Sequence, residues 1–169
     1  YSANLAGSTI DAQHKVIRQA MQRAGIIGKQ IDYIETIGLD NPIANIIEIK
    51  ALQRAYQLNK HHDEILIGAI ESHLGQSRSC AGLAGILKLI KILEYKSAPA
   101  HLDCSVIPTT KLWQEVPFKF VSAYSKLNDN KTEHIVAINS IGFSGTNAHL
   151  LLKSPHSQMS KIDSQQIIP

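Results

Sequence analysis

Residues Gly68–Gly85 read G-A-I-E-S-H-L-G-Q-S-R-S-C-A-G-L-A-G and join two apolar segments of different length. At the start of this stretch, Glu64–Ala69 is a short apolar run that predicts a strand. After the loop Ile70–Arg78, the segment from about Ser79 to Tyr95 is apolar nearly all round, which predicts a buried helix. A strand, a loop and a helix in this order predict an α/β layer with helices packed on a sheet.

The segments on either side add elements of the same kind. Asp11–Ala24 carries apolar residues at helical spacing, and Gly25 is a natural stop for that helix. Ile31–Glu35 alternates like a half-buried strand. Near the end of the chain, His134–Ser140 and Asn147–Leu152 both alternate, so they predict a strand hairpin.

Two further segments complete the expected organisation. Asn45, followed three residues later by Glu48, predicts an N-cap with its capping-box partner at the start of a helix that reaches about Tyr56. The stretch Pro99–Lys131 contains prolines and a polar turn, so we expect it to be irregular. The strand–loop–helix units therefore predict an α/β fold with a mixed β-sheet packed by helices.

Three motifs carry a family resemblance. Residues Glu35–Glu48 read E-T-I-G-L-D-N-P-I-A-N-I-I-E, where a ketosynthase typically reads E-A-H-G-T-G-T-P-L-G-D-P-I-E. Gly68–Gly85 matches the family's G-S-V-K-S-N-I-G-H-L-E-A-A-A-G-I-A-G, and Gly142–His149 reads G-F-S-G-T-N-A-H, like the glycine-rich loop near the end of these domains. Over about Ser8–Lys153 the chain resembles the C-terminal part of a polyketide or fatty-acid β-ketoacyl synthase. The resemblance implies the C-terminal half of a thiolase-like fold.

The positions that perform condensation in this family are substituted here. Ile37 and Gln76 occupy the family's two histidine positions, and Glu71 occupies its lysine position. The resemblance implies that the histidines assist decarboxylation and stabilise the enolate oxygen, while the lysine organises the charged network beside them. Ile37 can neither donate nor titrate, Gln76 cannot exchange a proton near neutral pH, and Glu71 repels a developing oxyanion. Losing one oxyanion donor usually costs ~2.7–4 kcal/mol, so we assign no catalytic residue and expect no condensing activity.

The third motif supplies the other candidate site. By resemblance it borders the former acyl pocket, and its residues are Gly142, Phe143, Ser144, Gly145, Thr146 and Asn147. The family implies that Phe143 gates that pocket. A phosphate cradle is the alternative, since glycine allows close backbone approach, but the loop has neither a P-loop pattern nor dinucleotide spacing. A tight turn between two strands, with Asn147 bonding its own loop, is therefore the favoured interpretation.

Other residues with reactive or ligating side chains give weaker signals. His73, three residues before Gln76, either substitutes for the lost histidine or is solvent-facing or hydrogen-bonded, and the second interpretation is favoured. Cys80 begins the predicted helix and is favoured as a packing residue, while Cys104 has no identifiable base partner. The run His61-His62-Asp63 lacks ligand spacing, so we predict no metal site and no cofactor.

Composition limits the possible partners. The formal charge is +3 and aromatic residues make up 5%, so nucleic acid is not expected as a partner. Two cysteines are too few for a disulfide framework, which fits a reducing, cytoplasmic compartment. The longest apolar run, Cys80–Leu93, is interrupted by lysines and is shorter than the ~20 residues of a membrane span. The chain starts at Tyr1 rather than Met, which suggests an excised piece with a domain at residues 1–153 and a polar tail or linker at 154–169.

These observations lead to two hypotheses about function. The first is a non-catalytic ketosynthase remnant in a modular polyketide synthase, acting as a structural, docking or self-association module. Its expected partners are other polyketide synthase domains or a second copy of the chain, with an acyl carrier protein as a further possibility. The alternative is an acyl-transfer or carrier-protein-binding subunit that needs an N-terminal ketosynthase half to supply a cysteine.

Overall fold

The structure is a computed structural model that describes residues 8–38, 42–59, 61, 64–75, 77–102, 115–142 and 145–155. Its helices are α1 (Ile10–Ala24), α2 (Pro42–Tyr56), α3 (Glu71–Leu74) and α4 (Ala81–Tyr95). Short 3₁₀ turns lie at Gly28–Gln30 and Arg78–Cys80. The strands are β1 (Tyr33–Glu35), β2 (Ile65–Gly68), β3 (Ser97–Ala98), β4 (Phe118–Phe120), β5 (Ser125–Lys126), β6 (Ile135–Ile141) and β7 (Asn147–Lys153).

Five of these strands form one mixed sheet in the order β4-β2-β1-β6-β7. The first four run parallel, and β7 pairs antiparallel with β6 as the predicted hairpin, with Ile135 opposite Lys153 and Ile141 opposite Asn147. Parallel neighbours need long crossover connections, which explains why helices separate most of these strands along the chain. The short strands β3 and β5 form a separate antiparallel pair.

The sheet has a hydrophobic core on each face. One core joins α1 and α2 to the sheet through residues such as Ile17, Leu52 and Ile34. The other joins α4 to the opposite face through residues such as Leu89 and Val136. The fold therefore has three layers, with β1 at the centre of the middle one.

Three expected elements are confirmed at nearly their predicted bounds. Helix α1 begins after Thr9, whose Oγ1 accepts a hydrogen bond from the Ala12 N–H at 3.2 Å. It ends at Gly25, which has φ of 65° as a left-handed C-cap. The other two are the strands of the β6–β7 hairpin, whose pairing continues to Ser154, since its N–H donates to the His134 carbonyl.

Two predicted details are wrong. Strand β1 is buried on both faces rather than half-buried, because β2 and β6 flank it and helices cover both sides of the sheet. Helix α2 begins at Pro42, so Asn45 lies inside the helix and is not its N-cap. Proline suits the first turn of a helix, where its missing N–H has no partner to lose.

Two further expectations need correction. Helix α4 is not buried all round, since Leu83 and Leu87 are 68% and 66% exposed on its outer face. The stretch Pro99–Lys131 contains the short strands β4 and β5, while its residues 103–114 lie outside the described part of the chain. The predicted tail also lies outside it from residue 156 onward. Among the described residues, none of the helices is long and apolar enough to span a bilayer.

Candidate functional site

A cavity of about 450 Å³ opens at the carboxyl ends of β1 and β6. Its walls are residues 35–37, residues 70–71, residues 138–142 and the turn that leads into α4. The carboxyl ends of parallel strands are the usual location of ligand sites in α/β sheets. This cavity is therefore the candidate functional site.

The cavity brings together three of the residues selected from the sequence. Ile37, Glu71 and Gly142 all lie in its lining. Glu71 begins α3 and is half-buried, and burial raises the pKa of its carboxyl. Gln76, Phe143 and Ser144 lie outside the described part of the chain.

The glycine loop forms a tight turn between β6 and β7. The Gly142 N–H donates to the Thr146 carbonyl at 2.7 Å, and the Gly145 N–H donates to the Gly142 carbonyl at 3.0 Å. Gly145 has φ of 78°, a left-handed value that glycine adopts without strain. The Asn147 Nδ2 donates to the Gly145 carbonyl at 3.2 Å, as the turn interpretation predicts. Only Gly142 of this loop's described residues lines the cavity.

Glu35, which lines the cavity, belongs to a buried ion pair. The Lys88 ammonium lies 2.8 Å from Glu35 Oε2, and the two side chains are 7% and 1% exposed. The Tyr33 hydroxyl also donates to Oε2 at 2.8 Å, and the Ile70 N–H donates to Oε1. Burial raises the pKa of the Glu35 carboxyl, and the nearby Lys88 charge opposes that rise. The sequence analysis missed this pair, although a lysine inside an otherwise apolar helix was visible.

A second buried cluster links Ile37, in the loop after β1, to the β6–β7 hairpin. Glu48, on α2, accepts the Ile37 N–H on both oxygens at 3.2 Å and the Asn139 Nδ2–H on Oε1 at 2.9 Å. His149 Nδ1 lies 2.6 Å from Asn139 Oδ1, and His149 Nε2 lies 2.9 Å from the Tyr56 hydroxyl. Glu48 therefore acts in the tertiary structure and has no capping role.

The partners in this cluster fix the direction of every hydrogen bond. Asn139 donates through Nδ2 to Glu48, so its Oδ1 faces His149 and can only accept. His149 must then carry its proton on Nδ1, which leaves Nε2 to accept from the Tyr56 hydroxyl. Burial lowers the pKa of His149 to about 4, which keeps the ring neutral as this pattern requires.

The sequence analysis missed the roles of Glu48, Asn139 and His149. The available signal was a polar residue inside an apolar run, since Glu48 follows Ile46-Ile47 and Asn139 ends the run Ile135–Ile138. Buried polar side chains need partners, so each of these positions predicts a hydrogen bond. The identity of the partner depends on which strands become neighbours, and one sequence does not reveal that.

The remaining candidates have simple structural roles or none. His73 is hydrogen-bonded as favoured, with Nδ1 3.0 Å from Ser72 Oγ and Nε2 2.9 Å from the Ala100 carbonyl. Cys80 is exposed, so the prediction that it packs in the core is wrong. Within the described residues, no three His, Cys, Asp or Glu side chains are grouped as metal ligands. Cys104 lies outside them.

The described lining of the cavity combines the carboxyl groups of Glu35 and Glu71, the guanidinium of Arg78 and an apolar wall. Its described lining contains neither histidine nor cysteine. Glu35 is occupied by its ion pair, and Ile37 presents an aliphatic side chain. The arrangement can hold an apolar or hydrogen-bonding group, but the described lining lacks a nucleophile with an adjacent base.

Comparisons with known proteins agree with the geometry. Residues 2–105 match the family described as "Beta-ketoacyl synthase, C-terminal domain". The chain is 30% identical over 159 residues to highly reducing polyketide synthase 19 of Pyricularia oryzae, covering 88% of this chain and 6% of that protein. It is 29% identical over 153 residues to erythronolide synthase EryA3 of Saccharopolyspora erythraea, covering 90% of this chain and 5% of that protein.

Solved structures show the same relationship. Ketosynthase twelve of the bacillaene polyketide synthase of Bacillus amyloliquefaciens superimposes with a TM-score of 0.80 at 27% identity, covering 92% of this chain and 28% of that one. The ketosynthase from module 1 of the bacillaene synthase of the same species gives 0.81 at 26% identity, covering 91% and 29%. The chain thus spans less than a third of these ketosynthases. It belongs to the beta-ketoacyl synthase C-terminal domain family and has the fold of the C-terminal half of a thiolase-like ketosynthase.

Proposed function

We propose that this chain is a non-catalytic ketosynthase remnant of a modular polyketide synthase, acting as a structural, docking or self-association module. Its relatives are polyketide synthases, and its fold is that of a ketosynthase half. Its partners are then other domains of such a synthase or a second copy of the chain. The chain is not a condensing enzyme under this proposal.

The cavity supports the loss of condensation chemistry. Ile37 lies in its wall at the position where the family resemblance places a histidine. Glu71 lies in the same wall and brings a carboxylate to the position of a lysine. An oxyanion developing beside Glu71 would meet a carboxylate where the family has a lysine, although Arg78 also lines the cavity.

The observation that carries the docking role is an apolar stripe on α4. Leu83, Leu87 and Ile90 occupy positions i, i+4 and i+7, which lie on one helix face, and they are 68%, 66% and 46% exposed. Burying one such side chain stabilises a complex by about 1.5–3 kcal/mol. A row of exposed aliphatic side chains on a regular helix is typical of a protein interaction surface.

The alternative function uses the cavity itself. An N-terminal ketosynthase half that supplies a cysteine would turn the assembled pair into an acyl-transfer or carrier-protein-binding unit. The observation that favours it is the volume of about 450 Å³, which falls within the range of small-molecule sites. The two functions differ in whether the chain associates with itself or with that half.

Light scattering after size exclusion, over a wide concentration range, tests the docking role. We expect the chain to self-associate, and the double variant Leu83→Ser/Leu87→Ser to raise the dissociation constant at least tenfold, because two buried leucines are lost. Ile43→Ser is the matched control, since Ile43 is 71% exposed but lies on α2. It should leave the dissociation constant unchanged.

Two results would contradict this proposal. A monomer at every concentration would exclude self-association and would favour the N-terminal half as the partner. An unchanged dissociation constant in the double variant would show that association uses a surface other than α4. Circular dichroism of both variants establishes that the fold is retained.

A further inference from the structure

Ile37 lies between two fixed neighbours in the described part of its loop. Before Ile37, Thr36 is fixed to β2, because its N–H and Oγ1 both donate to the Gly68 carbonyl at 2.8 and 3.1 Å. After Ile37, Gly38 lies so close to Ala69 that an added Cβ would come within 2.2 Å of the alanine methyl. Between them, the Ile37 N–H donates only to the Glu48 carboxylate among the described residues.

We propose that the negative charge of Glu48 is a latch for this wall of the cavity: the carboxylate holds the Ile37 backbone, and neutralising it loosens that hold. This inference does not depend on the proposed docking function. It makes Glu48 a positioning residue, since Glu48 reaches the cavity only through Ile37. Its side chain is 2% exposed and is absent from the cavity lining.

The geometry identifies which bond is lost when Glu48 takes up a proton. Oε1 accepts from both Asn139 and Ile37, whereas Oε2 accepts from Ile37 alone. With Asn139 oriented as in this structure, both neighbours are donors, so a new O–H on the carboxyl has no acceptor in this cluster unless the Asn139 amide turns over. A proton on Oε2 removes that oxygen as an acceptor for the Ile37 N–H, which is then left with Oε1, the oxygen that it shares with the Asn139 Nδ2–H.

The surroundings place this change near neutral pH. Burial raises the pKa of Glu48 to about 7, and the negative charge of Glu35 on β1 adds to that rise. Lys88 on α4 is engaged with Glu35 at 2.8 Å. His149 on β7 is neutral, because burial lowers its pKa to about 4.

Among the residues that the structure describes, the helices packed around Glu48 do not supply a counter-charge. On α2 itself, burial and the Glu48 charge raise the pKa of the Tyr56 hydroxyl, so it stays neutral. On α1, Arg18 donates to the Ala55 carbonyl and Asp11 pairs with Arg54. Glu48 therefore relies on hydrogen bonds alone to stay ionised, and a modest fall in pH removes its charge.

The first test uses the unaltered chain and nuclear magnetic resonance between pH 5.5 and 8.5. We expect the Glu48 side-chain carboxyl ¹³C shift and the Ile37 amide ¹⁵N shift to titrate with one shared midpoint. After correction for intrinsic exchange rates, the protection of the Ile37 amide should fall at least tenfold from the high to the low end of this range. Amides of the central strand β1 should keep their protection throughout.

A pair of variants gives the second test. Glu48→Gln removes the charge and keeps the shape, so the Ile37 amide should be weakly protected at every pH, with no titration. Glu64→Gln is the matched control, because Glu64 is an exposed glutamate that pairs with Lys119 at 2.9 Å. It should keep the full pH dependence of the Ile37 amide.

Several outcomes would overturn the latch. It is excluded if the Glu48 carboxyl titrates while the Ile37 amide shift and protection stay constant. It is equally excluded if the Glu48 carboxyl does not titrate between pH 5.5 and 8.5. Should Glu48→Gln fail to fold, the titration of the unaltered chain still decides the matter, because it needs no substitution.

Discussion

Glu48 and His149 are linked through Asn139, yet they shift stability with pH in opposite directions. The folded state raises the pKa of Glu48 from 4.5 to about 7, so folding favours its protonated form. It lowers the pKa of His149 from 6.5 to about 4, so folding favours its neutral form. As pH rises, Glu48 lowers the free energy of unfolding between about pH 4.5 and 7, and His149 raises it between about pH 4 and 6.5.

We therefore predict that each single variant shows a pH dependence of the free energy of unfolding that is hidden in the unaltered chain, because there the two contributions cancel. Each shift corresponds to about 3 kcal/mol at 1.36 kcal/mol per pKa unit. Glu48→Gln should leave the contribution of His149 unopposed, so its free energy of unfolding should rise by about that amount between pH 4 and 6.5 relative to a variant that lacks both groups. His149→Asn should leave it falling between pH 4.5 and 7. Urea unfolding at a series of pH values measures both.

The double variant provides the control for this pair. It removes both groups of the pair, so the pH dependence that remains comes from other groups, such as Glu35 and Glu71, and is the baseline for the two single variants. Slopes of the same sign in the two single variants would contradict the opposing shifts. A flat profile in both would show that neither group is shifted by folding.

At the scale of elements, α4 has two faces of similar composition and different environment. Leu89 is fully buried against β6 and its neighbours, whereas Leu87, two positions earlier, is 66% exposed. Helical geometry places residues two apart on different sides of the helix. The same residue type thus serves the core on one side and the proposed docking surface on the other.

Truncating these two leucines should separate folding from docking. Leu89→Ala is expected to lower the free energy of unfolding by ~2–5 kcal/mol, because it opens a cavity in the core. Leu87→Ala should change it by less than ~0.5 kcal/mol, as surface substitutions do. Chemical denaturation at a concentration where the chain is monomeric measures both. Equal losses for the two variants would mean that the outer face of α4 is covered within the monomer.

Elements with local signals could be predicted from the sequence, and those that depend on their neighbours could not. Helix α1 has its stop residue Gly25 in the sequence, and both strands of the hairpin show alternation. The burial of β1 on both faces follows from its place between β2 and β6, which no local pattern encodes. The apolar composition of α4 predicted full burial because hydrophobicity does not distinguish a core from an interface.

The whole molecule is organised around one sheet with a separate core on each side. Ile17 belongs to the core under α1 and α2, and Leu89 belongs to the core under α4. The strands between them carry side chains alternately to the two faces, as Tyr33 and Ile34 do. The backbone of the sheet is therefore shared, while the side chains of the two cores are not.

This arrangement predicts additive effects on stability. Ile17→Ala and Leu89→Ala should each cost ~2–5 kcal/mol, and the double variant should cost their sum within ~0.5 kcal/mol. All three should still unfold in a single transition, because the sheet joins both cores. Denaturant titrations followed by circular dichroism measure this. A coupling energy above ~1 kcal/mol, or two separate transitions, would contradict the shared-sheet picture.

The candidate site was predictable only in part. The motifs selected Ile37, Glu71 and Gly142 by resemblance, and the structure brings all three to one cavity at the carboxyl ends of neighbouring parallel strands. The ion pair of Glu35 with Lys88 and the bonds of Glu48 were not predictable. Both depend on side chains more than ten positions apart, which become neighbours only once the sheet order is known.

The one-way order of the hydrogen bonds from Tyr56 to Glu48 also limits how this sequence can evolve. His149 and Asn139 each accept a hydrogen bond on one side and donate one on the other. A single substitution that reverses one of these bonds therefore places two donors or two acceptors opposite each other. Asn139→Asp, for example, would face the Glu48 carboxylate with a second carboxylate. Such a change becomes tolerable only with a compensating change at a neighbouring link. These positions are therefore expected to mutate in concert, which preserves the tie between α2 and the hairpin.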